Sequence, residues 1–125
     1  MKFEGIYTPV ITPHRDDGSV DREAFAAMID YLIGAGVHGL INGGSTGEYY
    51  AQPMEERLAM ASFAKEVIGD RVPLIIGTGA IRTEESIQVA EHAAKIGAAA
   101  LLVASPPYSV PTERENALNA LAIDR

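Results

Sequence analysis

Six consecutive residues, Gly43-Gly44-Ser45-Thr46-Gly47-Glu48, have the composition of a loop that binds a small anion. Glycines allow a backbone to approach a ligand closely, and the hydroxyls of Ser45 and Thr46 can donate hydrogen bonds to it. The loop follows the short apolar run 39–42 and precedes a helix-like segment. The alternative is a tight strand-to-helix turn without a ligand, because glycine-rich turns of this kind are common.

Two well-known phosphate motifs do not fit the sequence. A phosphate loop of the Walker type has a lysine after its last glycine, and Glu48 stands at that position. The second glycine-rich stretch, 77–82, carries Arg82 where a dinucleotide-binding motif has its third glycine. The sequence therefore does not predict a nucleotide site.

Other catalytic side chains are sparse. The histidines His14, His38 and His92 are far apart, so no metal site and no Ser-His-Asp triad is predicted, and we expect no metal and no cofactor. A lysine that acts as a nucleophile needs a desolvated amine with a lowered pKa. The three lysines are Lys2 before the first predicted strand and two within predicted helices, Lys65 and Lys95. None of them lies at the carboxyl end of a predicted strand.

Size and composition limit the class of protein. The 125 residues predict one domain, and an apolar fraction of 47% suits a globular protein with a core. The net charge of −7 argues against a nucleic-acid surface, and the absence of cysteine excludes disulfides and thiolate chemistry. No apolar run approaches a membrane span, and the first residues do not resemble a signal peptide. We therefore expect a cytoplasmic protein.

Strands and helices are predicted to alternate four times. Apolar runs predict strands, and segments with apolar residues every three or four positions predict helices. The capping pair of Thr112 and Glu115 predicts the start of the last helix, and Asp21 or Ser19 the start of the first. Thr83 is predicted to cap the third helix. The first predicted strand is short and lies within residues 3–12, where Pro9 and Pro13 limit it and predict an irregular exit. The other predicted strands cover residues 37–41, 72–76 and 98–104, and the last helix covers Glu113–Ile123.

Two α/β architectures fit four such units. Continuous apolar strands indicate a parallel sheet with both faces buried. Such a sheet is either a small, open doubly wound sheet or half of a (β/α)8 barrel of ~250 residues. The pattern of apolar residues does not separate the two.

The loop and several other motifs resemble the family of dihydrodipicolinate synthase and N-acetylneuraminate lyase. The resemblance rests mainly on 43–48, with support from Gly5-Ile-Tyr-Thr-Pro9, Gly77-Thr-Gly79 and Ser105-Pro-Pro-Tyr108. It implies a (β/α)8 TIM barrel and a lyase or synthase of the class I aldolase type, in which pyruvate or a related 2-oxo acid condenses with an aldehyde. Reverse cleavage and dehydration are equally open to the family. The pair Ser45-Thr46 resembles the neuraminate lyase branch more than the Thr-Thr pair usual in the synthases.

The resemblance also implies roles for individual residues. Ser45, Thr46 and Gly47 would bind the carboxylate of pyruvate, and the Ser45 hydroxyl would pass protons. The alternative for Ser45 is a helix cap. Tyr108 would reach across a dimer interface into the proton relay of the neighbouring subunit, although Pro107 and Ser109 replace the second aromatic residue often found in that motif. Glu48 would accept hydrogen bonds from N–H groups of its own loop.

The resemblance places the Schiff-base lysine and a central catalytic tyrosine on later strands than these four. Residues 1–125 are therefore interpreted as the N-terminal half of a single barrel domain, a fragment of an enzyme that forms dimers or tetramers. Feedback inhibition by lysine is not expected, since Met54, Arg57 and Ile81 replace the ligands of that amino acid. The alternative function is a small, non-catalytic α/β module that binds an anion.

Overall fold

The computed structural model describes residues 3–124, and within them four strands alternate with four α-helices. The strands are β1 (Tyr7–Pro9), β2 (Gly39–Asn42), β3 (Leu74–Gly77) and β4 (Ala100–Leu102). The helices are α1 (Arg22–Gly34), α2 (Met54–Ile68), α3 (Thr83–Lys95) and α4 (Glu113–Ile123). Two short 3-10 turns, Ser45–Gly47 and Tyr49–Ala51, lie between β2 and α2. None of the helices in this part of the chain is long and apolar enough to cross a bilayer.

The order of the strands decides between the two predicted architectures. The sheet is parallel throughout, and its order is β1-β2-β3-β4. A doubly wound sheet reverses its strand order at one point, which places helices on both faces. Right-handed crossovers without a reversal place every helix on the same face, as in a barrel. The fold is therefore that of half of a (β/α)8 barrel, and the prediction of four βα units is confirmed.

The core lies between the sheet and the helices. Leu40 of β2 and Ile76 of β3 are at most 1% exposed and pack with residues of α1, α2 and α3. On the opposite face of the sheet, Ile41 of β2 and Ile75 of β3 are half-buried, and Leu102 of β4 is 47% exposed. Within residues 3–124 the strands are thus buried on one face only, whereas their apolar sequences predict burial on both.

The ends of the helices follow local hydrogen bonds. Asp21 caps α1 by accepting a hydrogen bond of 3.0 Å from the Ala24 N–H. Thr112 and Glu115 form the predicted capping box of α4. The prediction for Thr83 is wrong. Arg82 is the capping residue of α3, and the Thr83 hydroxyl lies within the helix and donates a 2.9 Å hydrogen bond to Asn119.

The first strand, β1, is short, as predicted, whereas β2, β3 and β4 are shorter than the predicted segments because each apolar run begins in the loop before its strand. Residues 98 and 99, for example, precede β4, although the Ala99 N–H still donates to the Leu74 carbonyl oxygen at 2.8 Å. Lys2, which was predicted to precede the first strand, lies outside the described residues.

Candidate active site

The loop 43–48 leaves the carboxyl end of β2 and folds into the first 3-10 turn. The Gly47 N–H donates to the Gly44 carbonyl oxygen at 3.1 Å, and the Glu48 N–H donates to the Ser45 carbonyl oxygen at 3.0 Å. Ser45 and Thr46 are exposed, and their N–H and hydroxyl groups form no hydrogen bond with other described residues. The turn therefore offers four polar groups to a ligand.

On one side, the turn packs against the chain that follows β1. The Thr12 hydroxyl donates a hydrogen bond of 2.8 Å to the Gly47 carbonyl oxygen, and Thr12 is 6% exposed. Gly47 is buried, and a Cβ atom at this position would lie 3.1 Å from the Val10 carbonyl oxygen. The glycine therefore allows the turn to lie directly on the backbone of this segment.

On the other side, the loop packs against the end of β3. Gly43 has a φ of 75°, in the left-handed region that favours glycine. A Cβ atom on Gly77 would overlap the Gly43 carbonyl group and lie 3.0 Å from the Gly44 nitrogen. The first glycine of the motif is thus explained by its backbone angle, and Gly77 by the close approach of two strand ends.

Arg57 fastens the second 3-10 turn to the loop after β3. Its Nη2 donates to the Gly79 carbonyl oxygen at 2.9 Å, and its guanidinium carbon lies 5.0 Å from the centroid of the Tyr49 ring. The same ring packs on Gly79, where a Cβ atom would come within 2.7 Å of the Tyr49 Cζ. Burial lowers the pKa of the Arg57 guanidinium, while Tyr49 and Glu85 oppose that effect.

The structural role of Arg57 was not predicted. Arg57 lies on the same face of α2 as the buried residues Met60, Ala61 and Ala64, at spacings of three, four and seven. A single arginine in such a stripe is a signal of a buried cation with a specific partner. The partner itself, a carbonyl group in another βα unit, has no signature in the sequence.

Tyr108 is not brought together with Ser45 in the described chain. Its side chain is 96% exposed, so it makes almost no contact with other residues. Its φ of 74° and the φ of 45° at Val110 lie in a region that non-glycine residues rarely adopt. The role of Tyr108 in a neighbouring subunit stays a prediction.

The prediction for Glu48 is not met. Glu48 has a φ of 57° and a ψ of 38°, and this left-handed residue joins the two 3-10 turns. Its carboxylate is exposed and accepts no hydrogen bond from an N–H group of the loop among residues 3–124. The contribution of Glu48 is made by its backbone, whose N–H and C=O groups close the two successive turns.

The two described lysines lie at the opposite edge of the sheet from Ser45. In a βα unit the helix runs back along the sheet, so the end of a helix lies near the start of the next strand. Lys65 is in the last turn of α2, where its Nζ donates to the Gly69 carbonyl oxygen at 2.8 Å, and Lys95 is the last residue of α3. Neither is placed to attack a ligand at the loop.

The histidines lie in three separate places. His14 is exposed, the Nδ1 of His38 accepts a 3.0 Å hydrogen bond from the Ile6 N–H, and the Nε2 of His92 shares a 2.7 Å hydrogen bond with Ser62. Among residues 3–124, no three His, Asp or Glu side chains come together in a group that could hold a metal ion.

Comparison with known proteins shows that most of the chain is similar to one protein family. The model of the Dihydrodipicolinate synthetase family matches residues 2–120. The chain is 42% identical, over 112 residues, to a 4-hydroxy-tetrahydrodipicolinate synthase of Chelativorans sp. (strain BNC1). This match covers 90% of the chain and 38% of the relative, so the chain spans less than half the length of the curated relatives it matches.

Solved structures give the same result. The fold is similar to that of YagE from E. coli K12, a prophage protein of the dihydrodipicolinic acid synthase family solved in complex with pyruvate. The TM-score is 0.93 at 40% identity, over 97% of this chain and 41% of that one. The 4-hydroxy-tetrahydrodipicolinate synthase of Methylacidiphilum fumariolicum SolV gives a TM-score of 0.92 at 30% identity, over 98% of this chain and 40% of its own.

Proposed function

The chain belongs to the dihydrodipicolinate synthetase family, and from this membership we propose that it supplies the acid-binding part of a Schiff-base lyase or synthase. The ketone of pyruvate or a related 2-oxo acid condenses with a lysine amine and releases water. Loss of a proton then gives an enamine, which adds to an aldehyde. The reverse cleavage and a dehydration use the same type of intermediate.

The observation that supports this proposal most directly is that the loop at the end of β2 has polar groups without hydrogen-bond partners among residues 3–124. Ser45 and Thr46 present hydroxyl and N–H groups without partners in the described chain, at the edge where (β/α)8 enzymes bind their substrates. These four hydrogen-bond donors, on two adjacent residues, suit the two oxygens of a carboxylate. The N–H of Gly47 already donates to the Gly44 carbonyl oxygen, so Gly47 contributes by its lack of a side chain, which lets the turn pack closely.

Proton transfer is assigned to Ser45 and Tyr108. A hydroxyl beside the reacting ketone can accept a proton and pass it on without a change in its own charge. Tyr108 is too exposed to serve the loop of its own chain, and its exposure favours a role in a second copy of the protein. The proposed enzyme is therefore a homo-oligomer in which Tyr108 completes the relay of its neighbour.

The amine that forms the Schiff base is proposed to lie outside residues 1–125. Lys65 and Lys95 are at the wrong edge of the sheet, and the curated relative is more than twice as long as the matched segment. We assign residues 1–125 to the N-terminal half of one barrel domain, whose remaining strands supply the lysine.

Borohydride trapping with pyruvate tests the proposal. The protein that carries this sequence within a complete barrel is incubated with pyruvate, reduced and weighed, beside the 125-residue chain treated identically. We expect one reduced adduct per complete barrel and none on the 125-residue chain. An unmodified complete barrel would support the alternative of a non-catalytic anion-binding module. A stoichiometric adduct on Lys2, Lys65 or Lys95 would overturn the assignment of the lysine.

A further inference from the structure

The hydroxyl of Thr12 is the only described side chain that hydrogen-bonds to the loop 43–48. Thr12 follows β1, 35 residues before Gly47, and is 6% exposed. A buried hydroxyl needs a partner, because burial of a polar group without a hydrogen bond is unfavourable. Thr12 finds that partner in the Gly47 carbonyl oxygen at 2.8 Å.

This hydrogen bond is the first link of a chain that ends at Ser45. The Gly47 carbonyl and the Glu48 N–H belong to one planar peptide group, so fixing the carbonyl also fixes the direction of the N–H. The Glu48 N–H in turn donates to the Ser45 carbonyl oxygen at 3.0 Å and closes the turn. The position of Ser45 therefore depends on the hydroxyl of Thr12 through one peptide group.

The packing of Gly47 limits where the turn can lie. A Cβ atom on Gly47 would lie 3.1 Å from the Val10 carbonyl oxygen and 3.5 Å from the Thr12 Oγ1. The turn is thus in direct contact with the segment after β1 at the point where the hydrogen bond forms. Contact and hydrogen bond together orient the turn on β1.

We propose that Thr12 is a positioning residue that holds the turn 45–47 in the geometry that binds the 2-oxo acid. This inference rests on the function proposed above. Removing the hydroxyl leaves the buried Gly47 carbonyl without a donor, and the turn relaxes away from β1. A displacement of about 1 Å at a catalytic group can cost about 10²-fold in rate, so a small shift of Ser45 has a large effect.

Two measurements on wild type, Thr12→Val and Thr12→Ser test the inference. The first is amide hydrogen exchange of peptides that cover residues 43–52, and the second is kcat and KM for pyruvate turnover in the complete barrel. Valine keeps the shape of threonine without its hydroxyl, and serine keeps the hydroxyl. Thr8→Val removes a hydroxyl that has no hydrogen bond among the described residues, and serves as the exchange control.

We expect Thr12→Val to speed exchange at 43–52 and to lower kcat/KM at least ~10-fold, while Thr12→Ser stays within about threefold of wild type on both. The inference would be overturned if Thr12→Val left either the exchange rate at 43–52 or kcat/KM unchanged. It would also be overturned if Thr12→Ser were as impaired as Thr12→Val. If Thr12→Val does not fold, full activity in Thr12→Ser still supports the inference. A Thr12→Ser variant whose kcat/KM falls at least ~10-fold overturns it. A wild type without turnover refutes the proposed function alone, and hydrogen exchange then decides whether Thr12 holds the turn.

Discussion

Gly77 and Gly43 lie in contact where β3 and β2 end, and a methyl group on Gly77 would overlap the Gly43 carbonyl group. The two residues belong to successive βα units. At this point the loop that carries Ser45 is therefore packed against the next unit through backbone atoms. Backbone contacts of this kind leave no room for a side chain, which makes the loop sensitive to the smallest substitution.

Gly77→Ala is expected to destabilise the fold by about 1–3 kcal/mol, since a methyl group placed in a close-packed site forces the neighbouring backbone to move. Chemical denaturation measures the loss. Gly44→Ala is the matched control, because Gly44 has a φ of −82° and open space around an added Cβ atom. Equal stability of the two variants would show that the contact does not constrain the loop.

Arg57→Met is expected to destabilise the fold by about 1–3 kcal/mol, because it leaves the Gly79 carbonyl oxygen buried without a donor. Methionine fills much of the same space, so most of the loss comes from the hydrogen bond and from the contact with the Tyr49 ring. Denaturation with urea, followed by circular dichroism, gives the change in the free energy of unfolding.

The control for Arg57 is Arg82→Met. The Arg82 side chain is 68% exposed, and its nitrogens lie 3.8 Å from Glu84 and 3.9 Å from Glu85. Exposed ion pairs contribute little, so the change is expected to stay within about 0.5 kcal/mol. A loss at Arg82 as large as at Arg57 would mean that charge, and not the buried hydrogen bond, determines the effect.

Much of the fold could be predicted from the sequence because its signals are local. The capping box of Thr112 and Glu115 involves residues three apart, and the prediction of α4 over Glu113–Ile123 is confirmed residue for residue. The alternation of strands and helices is likewise read from short apolar patterns. The choice between a barrel and a doubly wound sheet depends on the order of the strands, which no local pattern encodes.

The hydrogen bonds that hold the candidate site in place could not be predicted, because they join residues that are far apart in the sequence. Composition predicts that Ser45 lies in a loop, but the partners of that loop come from other units. Thr12 is 35 residues from Gly47, and Arg57 is 22 residues from Gly79. Glu48 shows the reverse error. Its carboxylate was predicted to accept hydrogen bonds from N–H groups of the loop, but Glu48 has a left-handed backbone and its side chain is exposed.

The start of α4 is expected to loosen in acid. Hydrogen bonds from the Thr112 N–H, at 2.8 Å, and from its hydroxyl hold the pKa of Glu115 below its usual range. A lowered pKa in the folded state means that the stabilisation is present above the unfolded pKa of ~4.3 and is lost as the pH falls through the folded value. Nuclear magnetic resonance of the Glu115 carboxyl carbon and the Thr112 amide measures both.

Glu115→Gln is the matched variant for this prediction. Glutamine can still accept a hydrogen bond in a capping box, but it has no proton to gain. The Thr112 amide of the variant should therefore show no pH dependence in this range. A wild-type carboxyl that titrates at or above its usual pKa would contradict the capping hydrogen bond in solution.

Ser45→Ala is expected to lower kcat for pyruvate turnover about 10²-fold in the complete barrel, with a much smaller change in KM. In the proposed mechanism the Ser45 hydroxyl transfers a proton in the transition state, whereas binding of the carboxylate keeps the Thr46 hydroxyl and the N–H groups of the turn. Steady-state kinetics of Ser45→Ala beside Ser45→Thr, which restores a hydroxyl, separates the two effects. Threonine should recover most of kcat, because its hydroxyl can occupy the same place. If kcat of Ser45→Ala stays within about twofold of wild type, an effect below ~0.5 kcal/mol, then Ser45 only shapes the turn and the relay must run through another group.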